Sequence, residues 1–328
     1  MKRTKTTRSL SSRRVTALPV LLIAGLLWSP FIAAQQESEE QQGVAPTAAV
    51  AKALADPLAS ADETAKALAN PAGSLANLAN NLTYKTFKGD LPGAGDQTVV
   101  TYTFQPVLPF PVGDKGRNII VRPAFTLSFD QPVFDSSQGT WSNLDTELND
   151  ILFDTVYAGT TMTSKSTGYL WGVGVAGTLP TATNSALGGD QWRLGPELFG
   201  GIIRDWGVAG GLISNQWNLG GGDGGPGSND EPYSTTTIQY FYGIGLGNGW
   251  QILSGPVITY DWKASSGEKW SLPLGTGIAK TTKIGGTTWR FQIEIQYYVK
   301  QPDSFGSEWS LTFDFRPVIQ NPVLGWFQ

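Results

Sequence analysis

From Trp289 to Val299 the chain alternates residue by residue between two environments. Trp289, Phe291, Ile293, Ile295, Tyr297 and Val299 share one side, and Arg290, Gln292, Glu294, Gln296 and Tyr298 share the other. A period of two is the pleat of a β-strand, and this strand asks for hydrocarbon on one face and water on the other. Trp289 and Tyr297 stand eight residues apart. At roughly 3.3 Å per residue and a tilt near 40°, they bracket about 20 Å along a bilayer normal, close to the apolar band of a spanning barrel.

The pattern recurs. Trp309, Leu311, Phe313 and Phe315 oppose Ser310, Thr312, Asp314 and Arg316, while Val121, Pro123, Phe125, Leu127 and Phe129 oppose Arg122, Thr126, Ser128 and Asp130. Strands are predicted near 82–87, 97–109, 117–129, 149–163, 168–179, 191–203, 206–218, 233–246, 249–262, 269–281, 287–300 and 308–319. The connections between them alternate in length. Short joints fall at Ser164 to Thr167, Arg204-Asp205, Gly247-Asn248 and Thr282 to Gly286; longer ones run from Asp130 to Leu148, Pro180 to Asp190 and Leu219 to Pro232. Short turns on one side and long loops on the other are the habit of a transmembrane antiparallel barrel. The expected fold is therefore all-β, a transmembrane antiparallel β-barrel of about 12 strands over 81–328, preceded by a short helical periplasmic segment. A secreted β-sandwich also gives each strand one apolar face, but it does not call for aromatic brackets or alternating loops.

The aromatic brackets predict an interfacial girdle that includes Trp250, Tyr260, Trp262, Trp289, Tyr297 and Trp309. The opposite faces predict a lumen lined by Arg122, Arg193, Glu197, Arg290, Glu294, Asp314 and Arg316. Charges of both signs suit either a selective polar pore or a network that stabilises a closed wall. Residues 290, 294, 314 and 316 are expected to pair across the last two strands.

Residues 1–34 hold Lys2, Arg3, Lys5, Arg8, Arg13 and Arg14 with no acidic residue, then an apolar run from Ala17 to Trp28, then Ile32-Ala33-Ala34. This is the layout of a cleaved secretory signal, with an apolar run too short for a spanning helix. Its loss takes six basic residues from a chain of formal charge −4 and leaves −10. Such a chain has no basic surplus for nucleic acid. There is no cysteine and no histidine, which removes disulfides, thiolate chemistry and the commonest metal ligand and general base. No cofactor is implied and no metal site is expected. An acidic cluster of Asp145, Glu147, Asp150 and Asp154 reads either as a calcium site at the outer rim or as a solvated loop. The glycine-rich Gly220 to Gly227 lacks the lysine of a phosphate loop.

Between signal and barrel, residues 35–80 form a polar spacer and then an alanine-rich stretch in which AKALADP (51–57) recurs as AKALANP (65–71). Each copy predicts a short helix ending near its proline. The stretch suits either a plug at the barrel mouth or a plain periplasmic leader.

The run LWGVGVAGTLPTAT at 170–183 resembles a family of bacterial outer-membrane proteins labelled "neuromedin U" or transporter. Further likenesses are LANPAGSL (68–75), QPVLP (105–109), WRLGP (192–196), WSLPL (270–274) and Lys283-Ile284-Gly285. The family is related in pattern to outer-membrane barrels of the phenol-degradation group. The resemblance implies a Gram-negative outer-membrane barrel of transport or channel function and brings no ligand or catalytic residues. One departure is Phe327 in the next-to-last place, where many such barrels end on an aromatic residue.

The expected partners are outer-membrane lipid, a small solute of unknown identity and the barrel-assembly machinery during biogenesis, with the oligomeric state unspecified. Passive passage of a small solute is the leading expectation, and a structural or surface-interaction barrel with a closed lumen is the alternative. An enzymatic barrel is disfavoured, since barrel hydrolases depend on histidine beside a nucleophile.

Overall fold

The computed structural model describes residues 61–113, 115–221 and 232–321. The signal segment 1–34, the spacer, the helix expected to end near Pro57 and the chain end at Trp326 to Gln328 lie outside the described residues.

A helix, α1 (Ala61–Leu68), opens the described chain. The wall follows as β1 (Ala76–Lys88), β2 (Thr98–Val112), β3 (Arg117–Phe129), β7 (Ile151–Met162), β8 (Gly168–Leu179), β9 (Trp192–Arg204), β10 (Gly207–Gly220), β11 (Ser234–Gly247), the divided strand β12 (Trp250–Ser254) with β13 (Val257–Asp261), β14 (Trp270–Ile284), β15 (Thr287–Lys300) and β16 (Gly306–Ile319). Each pairs antiparallel with its neighbour, and β1 pairs with β16, from Ala76 against Ile319 to Lys88 against Gly306. The result is a closed barrel of twelve strands. Closure leaves no strand edge unpaired, which is the condition for crossing hydrocarbon.

The alternation sets the register because a slip of one residue would turn every side chain to the wrong solvent. Ile293 faces Phe313 on the outside, and Gln292 faces Asp314 on the inside. The first strand begins at Ala76 rather than near 82, because ANLANN pairs with β2 and β16 through its backbone while offering little apolar-polar contrast. The ninth strand divides at Gly255-Pro256, where proline has no N–H to give the ladder. The turn between β14 and β15 is Gly285-Gly286, both at positive φ (57° and 83°), the two-residue hairpin geometry that glycine accepts without strain.

The loop from Asp130 to Leu148 carries structure of its own. Strands β4 (Gln131–Asp135) and β5 (Thr140–Leu144) form a separate hairpin, and the two-residue β6 (Glu147–Leu148) returns to β3. Trp141 fastens the hairpin. Its ring lies 4.7 Å from Phe305 and 5.0 Å from Phe134, and its Nε1 donates to the Pro92 carbonyl at 2.7 Å. Trp141→Ala removes the ring contacts and one surface hydrogen bond, a loss of about 1–2 kcal/mol to the hairpin alone. Limited proteolysis is expected to cut within 131–144 several times faster in the variant while the barrel keeps its gel mobility.

Candidate functional site

The wall separates two chemistries. On its outer face Leu82, Val173, Leu198, Ile213, Ile293 and Leu311 keep 45–53% of their surface exposed around the whole barrel. A band of this kind is unfavourable in water and suits lipid. At the long-loop end Tyr260 packs 4.7 Å from both Trp262 and Trp270, and Tyr297 packs 4.6 Å from Trp309. At the short-turn end Trp250 lies under Lys280 Nζ at 5.1 Å, and Trp289 stacks on Phe291 at 5.9 Å. The expected girdle residues thus fall near the two ends of the wall. Trp171, stacked near Arg117 and edge-on to Tyr157 at 5.5 Å, joins the short-turn group. Its outward phase in β8 was available in the sequence, but the glycines around it blur the alternation.

Inside, a cavity of about 670 Å³ is lined by Arg122, Arg193, Glu197, Arg290, Glu294 and Arg316 among others. Asp314 points inward too and is almost fully buried. The charges form two groups on opposite walls. On one wall Arg122 of β3 donates through Nε to Asp154 of β7 at 2.7 Å and through Nη2 to Glu197 of β9 at 3.4 Å. On the other, Arg316 grips Asp314 two residues away with two bonds of 2.8 and 2.7 Å. Both carboxylates of the first group share one guanidinium, the fork geometry that arginine provides.

Two expectations are corrected here. Asp154 does not belong to an acidic rim cluster: it has the inward phase of Val156 and Ala158 and serves the lumen. Of the rest, Asp150 accepts the N–H groups of Thr181, Ala182 and Gly189, and Glu147 accepts the Thr183 hydroxyl, so these carboxylates tie loops together. No group of three or more metal-ligating side chains is present among the described residues. The expected pairing across β15 and β16 is also absent. Register sets Arg290 opposite Arg316 and Glu294 opposite Thr312. Glu294 instead accepts from Ser254 Oγ at 2.7 Å, Gln296 at 3.0 Å, Gln292 at 2.9 Å and the Gly255 N–H at 3.3 Å.

Residues 61–75 enter the barrel at the short-turn end. Asp62 accepts the N–H groups of Asn248 at 3.1 Å and Gly249 at 2.5 Å; Lys66 donates to the Arg204 carbonyl at 2.5 Å. A Cβ on Gly249 would lie 3.0 Å from the Ala61 Cβ and 2.3 Å from the Thr281 carbonyl, so helix and turn fit closely only with glycine there. Farther in, Asn70 Nδ2 donates to Thr160 at 3.1 Å and Asn118 Nδ2 donates to the Ala72 carbonyl at 3.3 Å. Ala72 completes an apolar cluster with Ile120, Val156, Leu170, Phe199 and Val208. The helix predicted to end near Pro71 therefore ends at Leu68, and the chain turns at Asn70, whose Oδ1 accepts the Ala72 N–H at 2.8 Å.

No protein-family model matches the chain, and no curated protein does. The family label suggested by the sequence motifs therefore has no support. Among solved structures, an outer-membrane channel from Pseudomonas putida F1 superposes with a TM-score of 0.56 at 10% identity, over 75% of this chain and 96% of that one. The fold is that of an outer-membrane β-barrel. Looser likenesses that carry no argument are the NanC porin (TM-score 0.42, 10% identity, 74% of this chain and 100% of that one) and the CymD monoaromatic hydrocarbon channel (0.40, 10%, 77% and 92%).

Proposed function

We propose that this protein is an outer-membrane channel that lets a small solute diffuse passively, exported by the segment 1–34 and oriented with its short turns and residues 61–75 in the periplasm. One observation carries the reading: a charged and polar cavity lies within the barrel and is bordered at one end by an inserted segment that packs on inward-facing wall residues. A twelve-stranded barrel is narrower than the open porins, so such a segment can restrict most of the bore. The packing of Ala72 into the apolar cluster favours a second reading, a barrel that stays closed and serves as a structural or contact surface.

Planar-bilayer recording separates the two. Full-length protein is expected to give small current steps, and a form lacking residues 61–75 but keeping β1 from Ala76 is expected to give steps several times larger. Complete absence of current from both forms, each migrating as a heat-modifiable barrel, would establish the closed reading.

A further inference from the structure

Four arginines line the cavity, and they are not equivalent. Arg122 and Arg316 are held by carboxylates. Arg193 and Arg290 have no carboxylate within 4.0 Å among the described residues, and each leaves its Nε buried without a hydrogen-bond partner. Arg290 is covered by the inserted segment, donating to the Leu68 carbonyl at 3.5 Å. Arg193 is placed differently. It sits at the start of β9, at the long-loop mouth of the lumen, and donates no hydrogen bond to any described residue while its guanidinium lies 3.9 Å above the ring of Tyr233.

The buried Nε of Arg193 finds no acceptor among the described residues, and a buried N–H left unmatched is unfavourable unless something else accepts it. The guanidinium lies directly over the Gly189 backbone, where a Cβ would come within 1.5 Å of Arg193 Nη2. Around it the cavity wall mixes Thr178 and Gln216, which bond each other at 2.9 Å, with Leu152, which is 49% exposed although it points inward.

We propose that Arg193 and Tyr233 form a capture site for a small monocarboxylate with an apolar body. The carboxylate would take the guanidinium fork, whose geometry it matches, and the apolar part would lie against Leu152. Asp154 and Glu197 farther down the same wall disfavour a dianion such as phosphate, so one negative charge attached to a hydrophobic body is the species that fits. The inference rests on the channel reading for what happens after capture, but the site itself needs no current to be detected.

Titration calorimetry of the full-length protein in detergent micelles tests the site, with benzoate as the probe and benzylamine as its cationic counterpart of the same size. Benzoate is expected to bind at one site and benzylamine not to bind. Arg193→Gln is expected to weaken benzoate about tenfold or more, the loss of a charge-assisted pair, with Arg193→Lys in between. Heat-modifiable migration checks that the variants fold. The proposal is overturned by no heat with benzoate, by equal binding of benzylamine, or by a folded Arg193→Gln that binds like the parent. Bilayer recording with benzoate added then separates site from route: binding without any current in any form overturns the channel reading and leaves the capture site standing.

Discussion

Arg122→Ala is expected to destabilise the barrel by about 3 kcal/mol, the low end for breaking a buried charge pair, since lumen water reaches part of the site. Arg122 and Asp154 side chains are each 16% exposed and Glu197 4%, so the guanidinium is the main counter-charge for two carboxylates with little solvent. Removing it leaves them unpaired and facing each other across β7 and β9. Urea unfolding in lipid vesicles, followed by tryptophan fluorescence, should show the midpoint fall. The triple variant Arg122→Ala, Asp154→Asn, Glu197→Gln should recover most of the loss, because amides of the same shape carry no charge to strand. If Arg122→Ala unfolds at the parent's midpoint, the triad does not support the wall and serves the passing solute alone.

That triad also marks what the sequence could and could not convey. Strands β3 and β15 were legible to the residue, because each must satisfy lipid on one face and a polar lumen on the other, and that contrast is written in every second position. The start of β1 was not, since Ala and Asn at 76–81 carry almost no contrast of polarity. Inward phase can be read from one strand at a time, which is why Arg122, Arg193, Glu197, Arg290, Glu294 and Arg316 could be named as lining residues and do border the cavity. Pairing cannot be read this way, because it depends on register between strands. Arg290 meets Arg316 and not a carboxylate for that reason alone. Asp154 was overlooked through proximity: three acidic neighbours in the loop before it suggested a rim cluster, although its phase with Val156 points to the lumen. The hairpin β4–β5 was hidden inside a segment whose length marked it as a loop, and its anchor, Trp141 on Phe305, joins residues far apart in the chain.

Ile293→Arg is expected to cost about 2–4 kcal/mol, the penalty for an arginine on the lipid face at mid-depth of a spanning barrel. Ile293 is suited to the test because it lies midway between the aromatic residues Trp289 and Tyr297 and is 53% exposed on the outer wall, beside Phe313 and Ile278. In water an exposed isoleucine replaced by arginine would cost nothing or improve solubility, so the sign of the effect reports the solvent that the wall faces. Gln296→Arg supplies the contrast. It lies three residues along the same strand but on the lumen face, where its side chain donates to Glu294 at 3.0 Å, and a guanidinium there gains a charged partner. Folding into short-chain lipid vesicles should therefore show Ile293→Arg with a lowered urea midpoint and Gln296→Arg with none. Equal and negligible effects of the two would mean that the outer band does not meet hydrocarbon, and the spanning barrel itself would have to be abandoned. A large loss in Gln296→Arg with none in Ile293→Arg would reverse the two faces, and the charged groups of β15 and β16 would then lie outside the lumen.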